Sequence, residues 1–264
     1  MIDKGLVSVI YTDLRECMKG DRLFNIIDIE TTAYCNFHCW YCPNSVYDRG
    51  SDEWSIMPMK MYKKIIDDLS TFKFSGTVRP FLYGEPLLDK HLFDRLVYTR
   101  QRLPNCNIHL STNGTNFTQE AYDRLSMLCD SILVTKHPEC NYEFCNIKEN
   151  ELCTLTVREI DRLQNRGGLL KIDGIRRRFC SAPSRIMTVN FLGDIILCCN
   201  DYHGRVVFGN VMEQHILKTW CDLDYQVERG LLRKGKVRLN ICKSCTWSND
   251  IGKVIESNKG GWTN

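Results

Sequence analysis

Three cysteines packed into eight residues, Cys35-Asn-Phe-His-Cys39-Trp-Tyr-Cys42, constrain this chain more than any other feature. Thiolates separated by three and two residues can hold three corners of a cubane iron–sulfur cluster and leave the fourth iron without a protein ligand. Structural zinc takes four ligands, usually as pairs from separated segments, and His38 lies too close to Cys39 to complete such a set comfortably. The whole chain holds 15 cysteines in 264 residues. An odd count excludes full pairing within the chain, and the length exceeds that of the small secreted scaffolds that disulfides staple. Metal or redox chemistry in a reducing, cytoplasmic setting is the expectation.

The remaining composition, 43% hydrophobic and 25% charged, excludes disorder and low complexity. The length suits one large α/β domain, or such a domain with an appendage. No apolar run approaches the ~18 residues of a membrane span, and the opening MIDKGLVSVIYTD lacks the apolar region of a signal peptide. Net charge is +3, with 17 basic and 20 acidic residues up to Asn150 and 18 basic and 12 acidic beyond it. That asymmetry favours an anionic ligand but is too mild for a nucleic-acid binder. Arg176-Arg177-Arg178, the one dense basic run, reads as a solvated linker.

Periodicity divides the first half into strands and helices. Phe24–Glu30, Val78–Tyr83, Asn107–Thr112 and Ser131–Thr135 read as strands, and the stretches opening at Pro58, His91 and Thr118 as helices. Strands separated by helices of this length imply right-handed βαβ units and a parallel sheet. The unusual residues all fall where a strand ends: the cysteine triad after the first, Tyr83-Gly84-Glu85-Pro86 after the second, Ser111-Thr112-Asn113-Gly114 after the third and Thr135-Lys136-His137 after the fourth. Parallel α/β barrels gather their active sites at that edge, so these segments should converge. Met187–Cys199 reads as a hairpin turning at Leu192-Gly193-Asp194, and helices are expected from Glu213 to Trp220 and Leu223 to Leu232. The expected organisation is an N-terminal extension over 1–23, a core over 24–175, a small domain over 176–250 and a tail over 251–264.

Cys-x3-Cys-x2-Cys after a first strand, with Tyr41 before its last cysteine and Tyr83-Gly84-Glu85-Pro86 after the second strand, resembles the radical S-adenosylmethionine (SAM) superfamily. The family's first glycine in the second motif is Tyr83 here. The resemblance implies an α/β fold built as a partial (β/α)6-type parallel barrel. It also implies a [4Fe-4S] cluster on Cys35, Cys39 and Cys42 whose open iron chelates SAM and drives its cleavage to a 5′-deoxyadenosyl radical. Tyr41, Tyr83, Gly84, Glu85, Pro86, Thr112, Asn113, Thr135, Lys136 and Arg158 are its implied SAM contacts, and for the strand-end polar residues an ordinary structural role competes on equal terms.

A second constellation comprises Cys180, Cys198, Cys242 and Cys245, with Gly193 between the first two. By residue chemistry alone it suits zinc or a [4Fe-4S] cluster equally. Its spacing resembles the SPASM extension of radical SAM enzymes in its truncated twitch form, because no cysteine follows Cys245. That implies one auxiliary [4Fe-4S] cluster fully ligated by protein, beside a C-terminal β-hairpin and helix. Cys106, Cys129 and Cys153 read as core, Cys140 and Cys145 as flanking a loop over the substrate, and Cys17 and Cys221 have no assignment.

WYCPNSV, YGEPLL, NRGG and GNVMEQHI are similar to the twitch dehydrogenases that oxidise an aminocyclitol alcohol. By that resemblance Arg166 contacts the oxidised carbinol, and because an arginine is a poor base its role is hydrogen bonding and charge. Cys199, Asn200 and Asp201 stand at a further substrate position, where a carboxylate is expected at 200 and Asp201 is its nearest replacement; Cys199 itself reads first as a small buried hydrophobe and second as a substrate-side thiol. Two-electron oxidation of a secondary alcohol of a sugar or cyclitol-like compound follows, with the auxiliary cluster as electron acceptor. The alternatives are a radical epimerase or peptide-modifying enzyme with a cysteine hydrogen donor, and a non-catalytic metal-binding or electron-transfer module. The expected partners are a small-molecule or peptide substrate and a flavodoxin- or ferredoxin-type reductant, with no nucleic acid, no membrane and a monomeric state.

Overall fold

The computed structural model describes residues 23–49, 55–137, 147–159, 163–172, 174–176 and 179–248. Cys17, Cys140 and Cys145 lie outside the described residues, as do most of the expected N-terminal extension and the expected tail. Strands β1 (Ile26–Ile29), β2 (Thr77–Arg79), β3 (Asn107–Thr112), β4 (Ser131–Lys136) and β5 (Thr154–Glu159) alternate with helices α1 (Met59–Thr71), α2 (Leu92–Arg102) and α3 (Gln119–Ser126). Neighbouring strands from β1 to β5 pair in parallel. Thr118 caps α3 by accepting from the Ala121 amide at 3.2 Å, the geometry that makes threonine a helix start.

Strand β8 (Ile186–Val189) then pairs in parallel with the free edge of β1, through Asp28↔Thr188. It turns at Gly193, φ 87°, into antiparallel β9 (Asp194–Ile196), and β10 (Val207–Asn210) closes the sheet in the order β10-β9-β8-β1-β2-β3-β4-β5. The expected hairpin therefore exists and continues the main sheet, which is the α/β, parallel-dominated architecture anticipated. Alternate residues of β1, β3 and β4 (Ile27, Ile29, Ile108, Leu110, Ile132 and Val134) are fully buried under the helices and form the core with Tyr62, Ile65, Leu69, Leu96 and Trp220. Cys106, Cys129 and Cys153 belong to this core, as read from the sequence.

A separate three-stranded sheet joins β6 (Leu163–Gln164), β11 (Thr246–Ser248) and β7 (Ile175–Arg176). Helices α4 (Ile216–Trp220), α5 (Leu223–Arg233) and α6 (Asn240–Ser244) lead to it. The first of these starts at Ile216 rather than at Glu213, because the His215 ring accepts from the Leu217 amide and caps it. Cys221 forms a disulfide whose other half lies outside the described residues. Among the described residues no helix is long and apolar enough to cross a membrane.

Candidate active site

The strand-end segments converge as their spacing predicts. Cys35, Cys39, Tyr41, Cys42, Tyr83, Gly84, Glu85, Ser111, Thr112, Asn113 and Thr135 all line one cavity of about 230 Å³ at the carboxyl edge of the sheet. Gly84 is there because nothing larger fits: a β-carbon at that position would collide with the carbonyl oxygens of Thr32 and Tyr34. This close approach, with the Glu85 amide donating to the Tyr34 carbonyl at 2.8 Å, presses the second segment against the start of the cysteine loop.

Glu85 is buried, and both carboxylate oxygens are committed. One accepts from Thr112 Oγ1 at 2.6 Å and the Leu87 amide at 3.0 Å, the other from the Asn113 amide at 2.7 Å. Burial outweighs these bonds and pushes its pKa up to about 7. Its visible work is to tie the end of β2 to the end of β3. Asn113 Nδ2 in turn donates to Cys35 Sγ at 3.7 Å and to Asn36 Oδ1 at 3.0 Å. Pro86 opens the turn Pro86–Leu88 outside the cavity wall, and Lys136 is exposed because alternation along β4 turns it away from Thr135. Arg158 is in register with Thr135 on β5, and its side chain lies outside the described residues.

His137 belongs to this wall and was not singled out individually in the sequence. Its ring stacks on Tyr41 at 5.9 Å, its Nδ1 shares a 2.5 Å hydrogen bond with the Tyr41 hydroxyl, and Phe37 meets it edge-on at 6.1 Å. Burial holds it below its ordinary pKa, so it is a neutral ring. The signal available was its place at the end of the fourth strand beside Thr135.

The second constellation is assembled from three segments. Cys180 is held by its amide on the Leu232 carbonyl at 3.0 Å, Cys198 ends the β9 hairpin, and Cys242 and Cys245 lie on and just after α6. Among the described residues no three histidine, cysteine or carboxylate groups converge closely enough to hold a single metal ion. The four thiols are nonetheless electrostatic neighbours: burial first, then Cys199, Cys242 and Cys180, push Cys198 far up, and burial with Cys180 and Cys245 pushes Cys242 up to about 12. Four thiols within electrostatic reach of one another are the donor type that an iron–sulfur cluster uses.

Tyr83 and Arg166 connect the two regions. The Tyr83 hydroxyl donates to the Cys199 carbonyl, its ring packs edge-on against Tyr202 at 4.8 Å, and its carbonyl accepts from Asn44 of the cysteine loop at 3.2 Å. Arg166 sits in a turn of three consecutive left-handed residues, with φ of 51°, 68° and 93° through Gly168. A side chain at Gly167 would strike Ile241. Asn165 fixes this turn by donating to the Ser244 carbonyl at 2.7 Å and accepting from the Thr246 amide at 2.9 Å. Burial opposes the Arg166 charge, but Tyr83, Cys199 and Cys42 hold its pKa above its already high value, so it stays a cation and cannot act as a base.

Arg166 also lines a second cavity of about 330 Å³, together with Asn200, Asp201, Tyr202, His203, Arg205 and Ile241. Of the three residues expected at a substrate position, Cys199 is enclosed near Arg166, Asp28 and Arg79. Asn200 Nδ2 donates to Gln164 Oε1 at 3.0 Å and to Cys245 Sγ at 3.4 Å. Asp201 is 1% exposed and accepts from the Arg205 and Val206 amides at 2.9 and 2.8 Å, so its carboxylate closes its own loop.

Comparison with known proteins agrees with this geometry. Residues 29–135 match the radical SAM superfamily, and residues 180–246 match the SPASM iron–sulfur cluster-binding domain. An S-adenosyl-L-methionine-dependent 2-deoxy-scyllo-inosamine dehydrogenase of Niallia circulans is 32% identical over 238 residues, covering 85% of this chain and 94% of that protein. The chain belongs to the radical SAM superfamily. The crystal structure of BtrN in complex with AdoMet and 2-DOIA superposes with a TM-score of 0.79 at 30% identity, over 85% of this chain and 94% of the other. BtrN in an open conformation gives 0.69 at 28% identity, over 85% and 93% of the two chains. Native anSMEcpe with bound AdoMet, at 11% identity and a TM-score of 0.56 over 85% and 89%, shares the fold. This radical SAM enzyme thus carries its SAM-binding family segment over β1 to β4 and an iron–sulfur cluster-binding segment over the hairpin and α4 to α6.

Proposed function

We propose that this enzyme oxidises a secondary alcohol of a sugar or cyclitol-like compound to a ketone. The observation that carries the reading is Arg166, which lines both the cavity walled by Cys35, Cys39 and Cys42 and the second cavity beside it. Cys35, Cys39 and Cys42 would hold a [4Fe-4S] cluster open at one iron, and Cys180, Cys198, Cys242 and Cys245 a second one closed by protein. When bound, these groups supply the electron that cleaves SAM to a hydrogen-abstracting 5′-deoxyadenosyl radical and the acceptor for the electron that leaves the substrate.

The chain's own residues do the rest. Gly84 brings a bare backbone to the cavity for the methionine end of SAM, with Glu85, Thr112, Asn113 and Thr135 shaping its walls. Tyr41, His137 and Phe37 form a flat apolar slot suited to the adenine. Arg166 receives the carbinol oxygen and, as a fixed cation, stabilises negative charge developing there as the hydroxyl proton passes to solvent water. Tyr83 forms part of the first cavity's wall beside Arg166, and the Arg49 guanidinium, 4.0 Å over Tyr202, packs behind it.

A second reading is a radical epimerase or peptide-modifying enzyme. Burial, against the opposing charge of Arg166, raises the pKa of Cys199 and favours a thiol able to return a hydrogen atom. A flavodoxin- or ferredoxin-type reductant, a monomeric state and a cytoplasmic location complete the proposal. Anaerobic reconstitution with dithionite and SAM tests it: 5′-deoxyadenosine forms one-to-one with a product lighter by two hydrogens. A product of unchanged mass that gains one solvent deuterium would establish the epimerase instead.

A further inference from the structure

The second cavity carries more positive than negative charge on its wall. Arg166, His203 and Arg205 line it, and Asp201 is the one acidic residue among its lining residues. Asp201 is 1% exposed and already accepts from the Arg205 and Val206 amides, one at each oxygen, which makes it a poor direct partner for a ligand cation. Asn200 turns its amide nitrogen to Gln164 and Cys245. The buried carboxylates of the β1 segment are also spent: Asp28 binds Arg79, and Glu30 binds Arg49. Arg205, by contrast, is exposed at the cavity, with its side chain in no ion pair among the described residues. An ammonium group entering here meets two guanidinium ions against one enclosed carboxylate, and a like-charge contact in a partly dehydrated cleft is costly.

We propose that this cavity takes a hydroxylated ring carrying an anionic substituent, a phosphate or a carboxylate, and that Arg205 selects it. The proposal rests on the alcohol-oxidation reading for the placement of the ring, and on the cavity's charge for the substituent. It separates this chain from the relative whose name specifies an inosamine, an amine-bearing substrate. The volume of about 330 Å³ lies in the small-molecule range. Guanidinium is the side chain best shaped for bidentate contact with phosphate or carboxylate oxygens. Burial, then Arg205 and Arg49, hold His203 below its ordinary pKa, which leaves it a neutral hydrogen-bonding group beside the arginine.

The test begins with inorganic phosphate titrated calorimetrically into the reconstituted, SAM-loaded enzyme. Binding is expected, weakened about tenfold in Arg205→Gln, and unaffected in Arg185→Gln, a control on an exposed arginine just before β8 at the other end of the sheet. Absent binding, or binding indifferent to Arg205→Gln with the variant's fold confirmed by circular dichroism, would overturn the proposal. A substrate panel then separates the sources: a sugar phosphate, a uronate, an uncharged cyclitol and an amine-bearing cyclitol. Stimulation of 5′-deoxyadenosine formation by either anionic compound, with Arg205→Glu shifting preference toward the amine, supports it, and stimulation by the amine-bearing ring alone refutes it. Failure of the oxidation reading looks different: phosphate still binds through Arg205, but no ketone forms from any compound.

Discussion

The two cysteine regions are built by opposite means. The triad at 35–42 is a property of local sequence: one loop supplies all three thiols, and the fold contributes mainly the wall against which they sit. The quartet is a property of tertiary structure. Its thiols come from before β8, from the end of β9 and from around α6, and are brought together by the Leu232 carbonyl, by Asn165 and by Asn200. A locally built site stays open on one side, toward the cavity that β1 to β4 share. The second donor set draws on three separate segments, which on the proposed reading leaves its cluster without an open iron.

The strongest way to break this contrast is to remove one thiol from each. Cys35→Ala is expected to abolish 5′-deoxyadenosine, whereas Cys242→Ala keeps SAM cleavage and loses the oxidised product, measured by chromatography after anaerobic turnover. The same loss in both variants would mean that the regions do not divide the chemistry. Next in size, Arg166→Lys keeps the charge but not the planar fork, and should lower product formation about a hundredfold while SAM binding changes little. A parallel loss of SAM affinity would place Arg166 wholly in the first cavity.

Glu85 sharpens the comparison through pH. Its folded pKa, raised by burial to about 7 from 4.5, means the folded chain binds that proton more tightly than the unfolded chain does. The resulting stability is fully present below about pH 4.5 and is lost as pH rises through 7. Melts between pH 5 and 8 should show this decline, on the order of 2 kcal/mol, and Glu85→Gln should flatten it. The smallest effect concerns the amide donors to sulfur, Asn113 on Cys35 and Asn200 on Cys245. Each alanine variant should make one cluster harder to reduce by roughly 40 mV, the equivalent of about 1 kcal/mol for a single electron. Potentiometric EPR reads this directly. If Asn200→Ala shifts the first cluster rather than the second, the ligand assignment fails.

Much of the site was legible because its residues sit at strand ends, and strand ends follow from hydrophobic periodicity. Asn107–Thr112 forms over its full expected length, and the turn at Gly193 falls where a left-handed residue was needed. The strand expected over Val78–Tyr83 stops at Arg79, because Pro80 lacks the donor that the sheet requires and the chain turns into the cavity. Side-chain direction was the illegible part. Nothing local says that Asp201 folds back on its own loop, that Glu85 spends its charge on Thr112 and Asn113, or that the Tyr83 hydroxyl reaches Cys199. Each depends on which segment lies opposite, and the pairing of β8 with β1 joins residues too far apart for any pattern to report.

The left-handed turn at Arg166 has a consequence for how the enzyme is made. Its three left-handed residues, of which only Arg166 is strained, are held by Ser244 and Thr246, at the end of the described chain, and by the β6–β11 pairing. During synthesis the first cysteine loop and its cavity can take shape well before the ribosome reaches those positions. Arg166 cannot be set until they emerge and dock. A partly matured molecule would therefore have its radical SAM segment in place before Arg166 is set, so the chain order itself delays completion of the site until the iron–sulfur cluster-binding segment has docked.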